Sequence, residues 1–260
     1  MRKIENKAIT IVICGHGSRH DNMLAEFRNF IRKIKIQFPK NPLSHGFLEI
    51  SDPNIETTLK KVIKTGAKKI LVIPVMLFAA GHIKKDIPNL IRKSLTKNSK
   101  IEVKIAREIG IDKKLLKVAK QKIEKTLQTS PHIISERETM LMVIGRGTSL
   151  KKVNEKIVNI SRSLKKQMKF SENKTSFVGV ATPDFKTSLT ESAKKKFKRI
   201  VIFPYLLFTG TLLNRIHAIT GKISQQFPET EFLISSCFKD HPLVIKSFTE
   251  RIMQGLKRFC

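Results

Sequence analysis

Lys69-Ile70-Leu71-Val72-Ile73-Pro74 returns as Arg199-Ile200-Val201-Ile202-Phe203-Pro204, 130 residues further along the chain. The same offset carries Gly15-His16-Gly17-Ser18 to Gly145-Arg146-Gly147-Thr148, Pro53 to Pro183, and Leu77-Phe78 to Leu207-Phe208. Landmarks that share one spacing, glycines and prolines among them, mark a tandem repeat. The chain is therefore two halves of one design.

Within each half, short apolar runs alternate with helical periodicity. Ile9–Cys14 suits a strand buried on both faces. Asn22–Phe38 places Met23, Phe27, Phe30, Ile31 and Ile34 at helical spacing, and Pro39 and Pro42 end it. Leu43–Ile50 is the next strand. Asn54 is placed to cap a helix running to Lys64, with Gly66 just past its end. Ile70–Val75 is the most apolar strand. A helix over Asp86–Ser94 tolerates Pro88 in its first turn. Ile101–Ala106 and Asp112–Leu127 complete the half as strand and helix. Strands near 140–144, 175–180, 200–204 and 231–235 repeat the pattern, with helices between them and one to the end. Such alternation predicts an α/β fold of two tandem repeats, each a parallel four-stranded sheet with helices on both faces. The expected domains are 1–127 and 139–260, joined by a linker over 128–138 that contains Pro131 and little periodicity.

Composition narrows the function. The chain has 260 residues, with 51 Lys+Arg against 21 Asp+Glu and a formal net charge of +30. With 40% hydrophobic residues it can fill a core, which excludes a disordered basic tail. Three scattered cysteines (14, 237, 260) exclude a disulfide framework and a structural zinc site. The longest apolar runs, Ile70–Gly81 and Ile200–Gly210, fall far short of the roughly 20 residues of a spanning helix. Arg2 and Lys3 precede a short apolar stretch, but Gly-His-Gly-Ser-Arg-His follows where a secretory signal needs a cleavage site. A cytoplasmic protein that spans no membrane is expected. The basic charge raises nucleic acid as a partner. However, the lysines are spread along the whole chain, with no basic tail and no aromatic RNA-binding strand. The charge fits either a solvated surface or the capture of a small polyanionic substrate, and no nucleic-acid partner is expected.

In parallel α/β sheets, ligands bind beyond the carboxyl ends of the strands. Three candidate ligands lie there: His16, Glu49 and His82, each 33 residues from the next. Two imidazoles and a carboxylate suit a first-row divalent metal with open positions. Each also has a plainer reading. His16 could be a loop residue between two glycines, Glu49 a solvated strand end, and His82 a helix cap. The repeat weighs against those readings. At the matching positions stand Arg146, Gly179 and Leu212, so all three candidates vanish together while the fold landmarks persist. The pattern implies one active half. Ser18, Arg19, Gly81, Lys84, Lys85 and, in the second half, Arg146, Asn214 and Arg215 lie in the matching loops, where cations could hold substrate carboxylates or simply form solvated charged loops. His20, His45, His132, His217 and His241 have no partner evident in the sequence. Ser18 lacks a nucleophile elbow, and no phosphate-binding glycine motif occurs.

Gly15–Arg19 (GHGSR), Gly46–Pro53 (GFLEISDP), Ile73–Pro88 (IPVMLFAAGHIKKDIP), Ile144–Thr148 (IGRGT) and Phe203–Ile216 (FPYLLFTGTLLNRI) together resemble the class II chelatases of siroheme and cobalamin synthesis. The chain is most similar to the sirohydrochlorin chelatase family in its long, two-domain form, over essentially its whole length. The resemblance implies a chelatase-like domain in each half and ATP-independent insertion of Co²⁺ or Fe²⁺ into sirohydrochlorin. It implies His16 and His82 as catalytic and metal-binding histidines with Glu49 as their acidic partner. From their place in the loops, Ser18, Arg19, Gly81, Lys84 and Arg146 are the expected substrate contacts; the metal is expected as substrate with no permanently bound cofactor, and the fusion of two halves in one chain leads to the expectation of a monomer. The rival expectation is a non-catalytic basic protein that binds RNA or a tetrapyrrole.

Overall fold

The computed structural model describes residues 9–78, 85–95 and 100–259. The chain runs β1 (Thr10–Gly15), α1 (Asp21–Gln37), β2 (Leu43–Phe47), α2 (Ile55–Lys64), β3 (Lys69–Pro74), α3 (Ile87–Ser94), β4 (Glu102–Ile105) and α4 (Lys113–Gln128). It continues β5 (Thr139–Gly145), α5 (Lys151–Met168), β6 (Glu172–Phe177), α6 (Phe185–Ala193), β7 (Arg199–Pro204), α7 (Thr211–Ser224), β8 (Glu231–Ile234) and α8 (Pro242–Leu256). Two four-stranded sheets result, ordered β2-β1-β3-β4 and β6-β5-β7-β8, and every neighbouring pair is parallel.

The central strands explain the apolar runs. Ile11, Val12, Cys14, Ile70, Leu71 and Val72 are wholly buried, as are Met140–Ile144 and Ile200–Phe203. In the first sheet Val12, Cys14, Ile70 and Val72 pack with Ile55, Leu59 and Val62 of α2 and Ile87 and Ile91 of α3. In the second, Met140, Met142, Ile144, Ile200 and Ile202 meet α6 and α7 through Phe185, Leu189, Ile216 and Ile223. Alternate strand residues point to the opposite face, which needs its own cover. Burial of each such side chain is worth about 1.5–3 kcal/mol, more than helix propensity supplies.

Local signals match where the chemistry is local. Asn54 caps α2, its side chain accepting from the Thr57 amide at 2.8 Å. Asp112 caps α4 through the Lys114 amide at 2.7 Å. Gly66 sits just past α2 with φ +87°. The strand expected at 175–180 lies three residues earlier, at Glu172–Phe177. As an edge strand its residues 172–175 are only half-buried, so polar Glu172-Asn173-Lys174 can serve as ladder residues.

The compact units do not follow the boundaries of the repeat. One unit comprises the chain up to Gly110 together with Ile245–Cys260, and the other comprises Ile111–Val244. The helix that follows the last strand of each half belongs to the other half's unit. In the first unit α8 covers the sheet face opposite α2 and α3. Phe248 stacks edge-on against Phe30 of α1 at 5.0 Å. A Cβ on Gly255 would lie 2.7 Å from Leu71 Cδ2, so the helix backbone packs directly on β3. Arg251 donates to the Ile109 carbonyl at 2.9 Å. In the second unit α4 packs on β7, β8 and α5, and Lys122 donates to Ser236 at 3.0 Å. The expected domains 1–127 and 139–260 therefore delimit the repeat rather than the folded bodies.

The expected linker at 128–138 also proves to be an integral part of the second unit. Buried Arg199 pairs with Glu231 and donates to Ser130 Oγ (2.9 Å), the His132 carbonyl (2.8 Å) and the Ile134 carbonyl (3.3 Å). A buried guanidinium so fully bonded fixes this stretch against the start of β7 and β8.

Phe248→Ala should destabilise the first unit, although Phe248 belongs by sequence to the second repeat. A loss of about 3–5 kcal/mol is expected. Hydrogen exchange should show protection falling in β1 and β3 and persisting in β5 and β7. Loss confined to β5 and β7 would contradict the assignment of α8.

Candidate functional site at the carboxyl edge of β1 and β2

β1 and β2 pair in parallel up to Gly15 opposite Phe47. Their pairing continues past the strand ends. The Leu48 amide donates to the Gly15 carbonyl at 3.0 Å, and the Glu49 amide donates to the His16 carbonyl at 3.0 Å. His16 and Glu49 are thereby brought side by side at the carboxyl edge. His16 is half-buried and Glu49 is exposed.

Gly17 makes this approach possible. Its φ is +101°, and a Cβ there would fall 1.8 Å from the Glu49 carbonyl oxygen. No residue but glycine combines that backbone with that contact. Ile50, next to Glu49, has φ +69° and is 59% exposed. A β-branched residue in the left-handed region is strained, and such strain clusters at functional sites.

Ser51 forms a second tie between the same two loops. Its hydroxyl accepts from the Ser18 amide at 2.9 Å and donates to the Ser18 carbonyl at 2.8 Å. The Ser18 hydroxyl accepts from the His20 amide at 3.0 Å, which shapes the entry to α1. Ser18 is thus built into the loop's own bonding, and Arg19 beside it is exposed. Ser51 was not among the residues picked out in the sequence. Its signal lay in the repeat, where Ala181 stands at the matching position.

Beneath the loop, burial pushes the Cys14 thiol up to about 12. His45, without an evident partner in the sequence, packs edge-on against Phe27 (6.2 Å) and Phe47 (5.9 Å). Burial, with Arg28 adding to it, lowers its pKa and so favours the neutral ring. It is a half-buried histidine packed among aromatic rings.

Among the described residues no three His, Cys, Asp or Glu form a metal-binding group. Gly81, His82 and Lys84 lie outside the described residues, so His16 and Glu49 are the described members of the expected trio. Arg146 is exposed after β5 and belongs to the other unit. There the loop excludes a counterpart to Glu49. A Cβ on Gly179 would lie 2.4 Å from the Arg146 carbonyl oxygen. Arg215 holds the same loop, donating to the Val178 carbonyl at 2.9 Å. Among the described residues no helix is long and apolar enough to cross a membrane.

The CbiX family model matches residues 10–126 and again 140–255. A sirohydrochlorin cobaltochelatase of Priestia megaterium is 30% identical over 95% of this chain and 80% of its own length. A sirohydrochlorin ferrochelatase of the same organism is 28% identical over 89% of this chain and 86% of its own. Among solved structures, SirB from Bacillus subtilis with Fe³⁺ superposes with a TM-score of 0.80 at 28% identity, covering 95% of both chains.

Gly17→Ala and Gly66→Ala separate strain from collision. Both glycines have positive φ, but nothing lies within 4 Å of a Cβ on Gly66. Gly66→Ala should cost about 1 kcal/mol, and Gly17→Ala at least 1–3 kcal/mol more, because the His16 and Glu49 loops must part. Thermal denaturation of both variants checks the difference.

Proposed function

Because this chain belongs to the CbiX family, we propose that it inserts Co²⁺ or Fe²⁺ into sirohydrochlorin without ATP. The observation that carries the reading is that the paired loops bear His16 and Glu49 in one repeat, where the other repeat bears Arg146 and Gly179. It is supported by relatives acting on sirohydrochlorin that match nearly the whole chain.

Insertion exchanges one M²⁺ for the two pyrrole N–H protons of the macrocycle. Near neutral pH those protons need a base, and neutral imidazole suits the task. In this reading His16 binds the incoming metal and takes up or relays a proton. His82, assigned from sequence, acts as the second imidazole. Glu49 completes the metal site or orients a histidine. The metal is a substrate, held by a carboxylate and imidazoles weakly enough to be surrendered to four pyrrole nitrogens. No permanently bound cofactor enters the reaction.

Sirohydrochlorin carries eight carboxylates, and the net charge of +30 steers such an anion toward the protein. Ser18, Arg19, Gly81, Lys84 and Arg146 are the proposed substrate contacts, the cations to carboxylates and the others through hydroxyl or backbone. Both repeats lie in one chain, so the working form is taken to be a monomer in the cytoplasm. The rival, a non-catalytic basic binder of RNA or a tetrapyrrole, gives the His16–Glu49 arrangement no role and is not favoured.

The test is anaerobic mixing with sirohydrochlorin and Co²⁺ or Fe²⁺, followed by tetrapyrrole absorbance against a control without protein. The wild type should accelerate insertion, and His16→Ala should lose about 10²–10⁴-fold of that rate. Raising ionic strength should lower kcat/KM for sirohydrochlorin more than kcat. Unchanged insertion in His16→Ala would overturn the assignment of His16. No acceleration by the wild type with either metal would overturn the chelatase reading.

A further inference from the structure

The two repeats close the same loop with different side chains, and the difference falls where only one repeat carries His16 and Glu49. In both repeats the residue after the second glycine makes the same turn. Ser18 Oγ accepts from the His20 amide at 3.0 Å, and Thr148 Oγ1 accepts from the Leu150 amide at 3.0 Å. The helices begin alike, with Leu24 bonded to the His20 carbonyl and Asn154 to the Leu150 carbonyl. The amide and carbonyl of Ser18 and of Thr148 are each held by one side chain, and there the repeats part.

In the second repeat that side chain is Asn154, on the loop's own helix. Its Oδ1 accepts from the Thr148 amide at 3.0 Å, and its Nδ2 donates to the Thr148 carbonyl at 2.8 Å. The clamp is local, six residues from its target. In the first repeat the matching helix position is Leu24, which cannot bond. The clamp comes instead from Ser51, 33 residues away on the loop that carries Glu49. Ala181 stands at the matching position in the second repeat. Loop shape alone is met by either arrangement. Only the Ser51 arrangement also ties the His16 loop to the Glu49 loop.

We propose that Ser51 is a positioning residue for metal insertion, fixing His16 relative to Glu49 by bonding both backbone groups of Ser18. This rests on the reading of His16 and Glu49 as the metal-handling pair. A residue that orients ligands without touching the reacting atoms typically accounts for 10–100-fold in activity. Its effect falls on the chemical step rather than on binding of the macrocycle.

The test compares Ser51→Ala with the double variant Ser51→Ala/Leu24→Asn, which imports the second repeat's clamp. Two readouts are taken: insertion kinetics with Co²⁺ and sirohydrochlorin, and hydrogen exchange of the Ser18 amide. Ser51→Ala should accelerate exchange at Ser18 and lower kcat about 10- to 100-fold, with KM for sirohydrochlorin within about twofold. In the double variant exchange should return to the wild-type rate, because the loop is closed again. Its kcat should recover only in part, because the clamp no longer reaches the Glu49 loop. Full recovery of kcat would overturn the cross-loop role, reducing Ser51 to a holder of loop shape. Wild-type kcat or wild-type exchange in Ser51→Ala would overturn the proposal outright. A wild-type chain that inserts no metal overturns the chelatase reading and the positioning role with it, while the exchange data still show whether Ser51 holds the loop.

Discussion

The continuation of parallel pairing beyond the ends of β1 and β2 is the constraint on which the candidate site depends. Two backbone bonds, Leu48 to Gly15 and Glu49 to His16, extend the ladder into what would otherwise be two separate loops. They set an imidazole-bearing residue beside a carboxylate-bearing one without requiring the side chains to find each other. Backbone bonds at a sheet edge inherit the rigidity of the buried strands beneath them, where Ile11, Val12 and Cys14 are wholly enclosed. Gly17 permits the close approach and Ser51 closes it from the side. Such preorganisation suits a reaction in which a metal must be held briefly and in one direction.

The second repeat shows the same fold without His16 and Glu49. It keeps the sheet order, the glycine loop, the turn at Thr148 and the capped helix at Asp184. It loses the carboxylate at a position where the loops after β5 and β6 approach closely, with the Arg146 carbonyl occupying the space a Cβ would need. The change from Glu49 to Gly179 is therefore a change of loop packing as well as of chemistry. A single substitution at 179 would not rebuild the site.

The exchange of α4 and α8 between the units gives the tandem chain a property that two copies of one domain would lack. Neither repeat contains all the helices that cover its own sheet. Leu71 and Phe30 of the first repeat are covered from α8 of the second, so its core is completed only once the end of the chain is in place. The sheet that bears the candidate site is thus covered by residues 184 and 218 positions from those they touch.

The sequence alone determined the repeat, the α/β alternation, the parallel sheets, the capping residues and the one-sided distribution of His16, Glu49 and His82. These are legible because strand burial, helix periodicity and capping act over a few residues, and because an internal copy supplies its own comparison. The resemblance to sirohydrochlorin chelatases was legible for the same reason, since its motifs are contiguous. Only the tertiary structure decided which sheet each terminal helix covers. An amphipathic helix records that it has an apolar face and not which surface will meet it. Only the tertiary structure turned the supposed linker into a segment fixed by Arg199, and revealed Ser51 as the tie between two loops. Those outcomes rest on bonds between residues 33 to 69 positions apart, whose partners are chosen by the packed fold and leave no periodic trace in the chain.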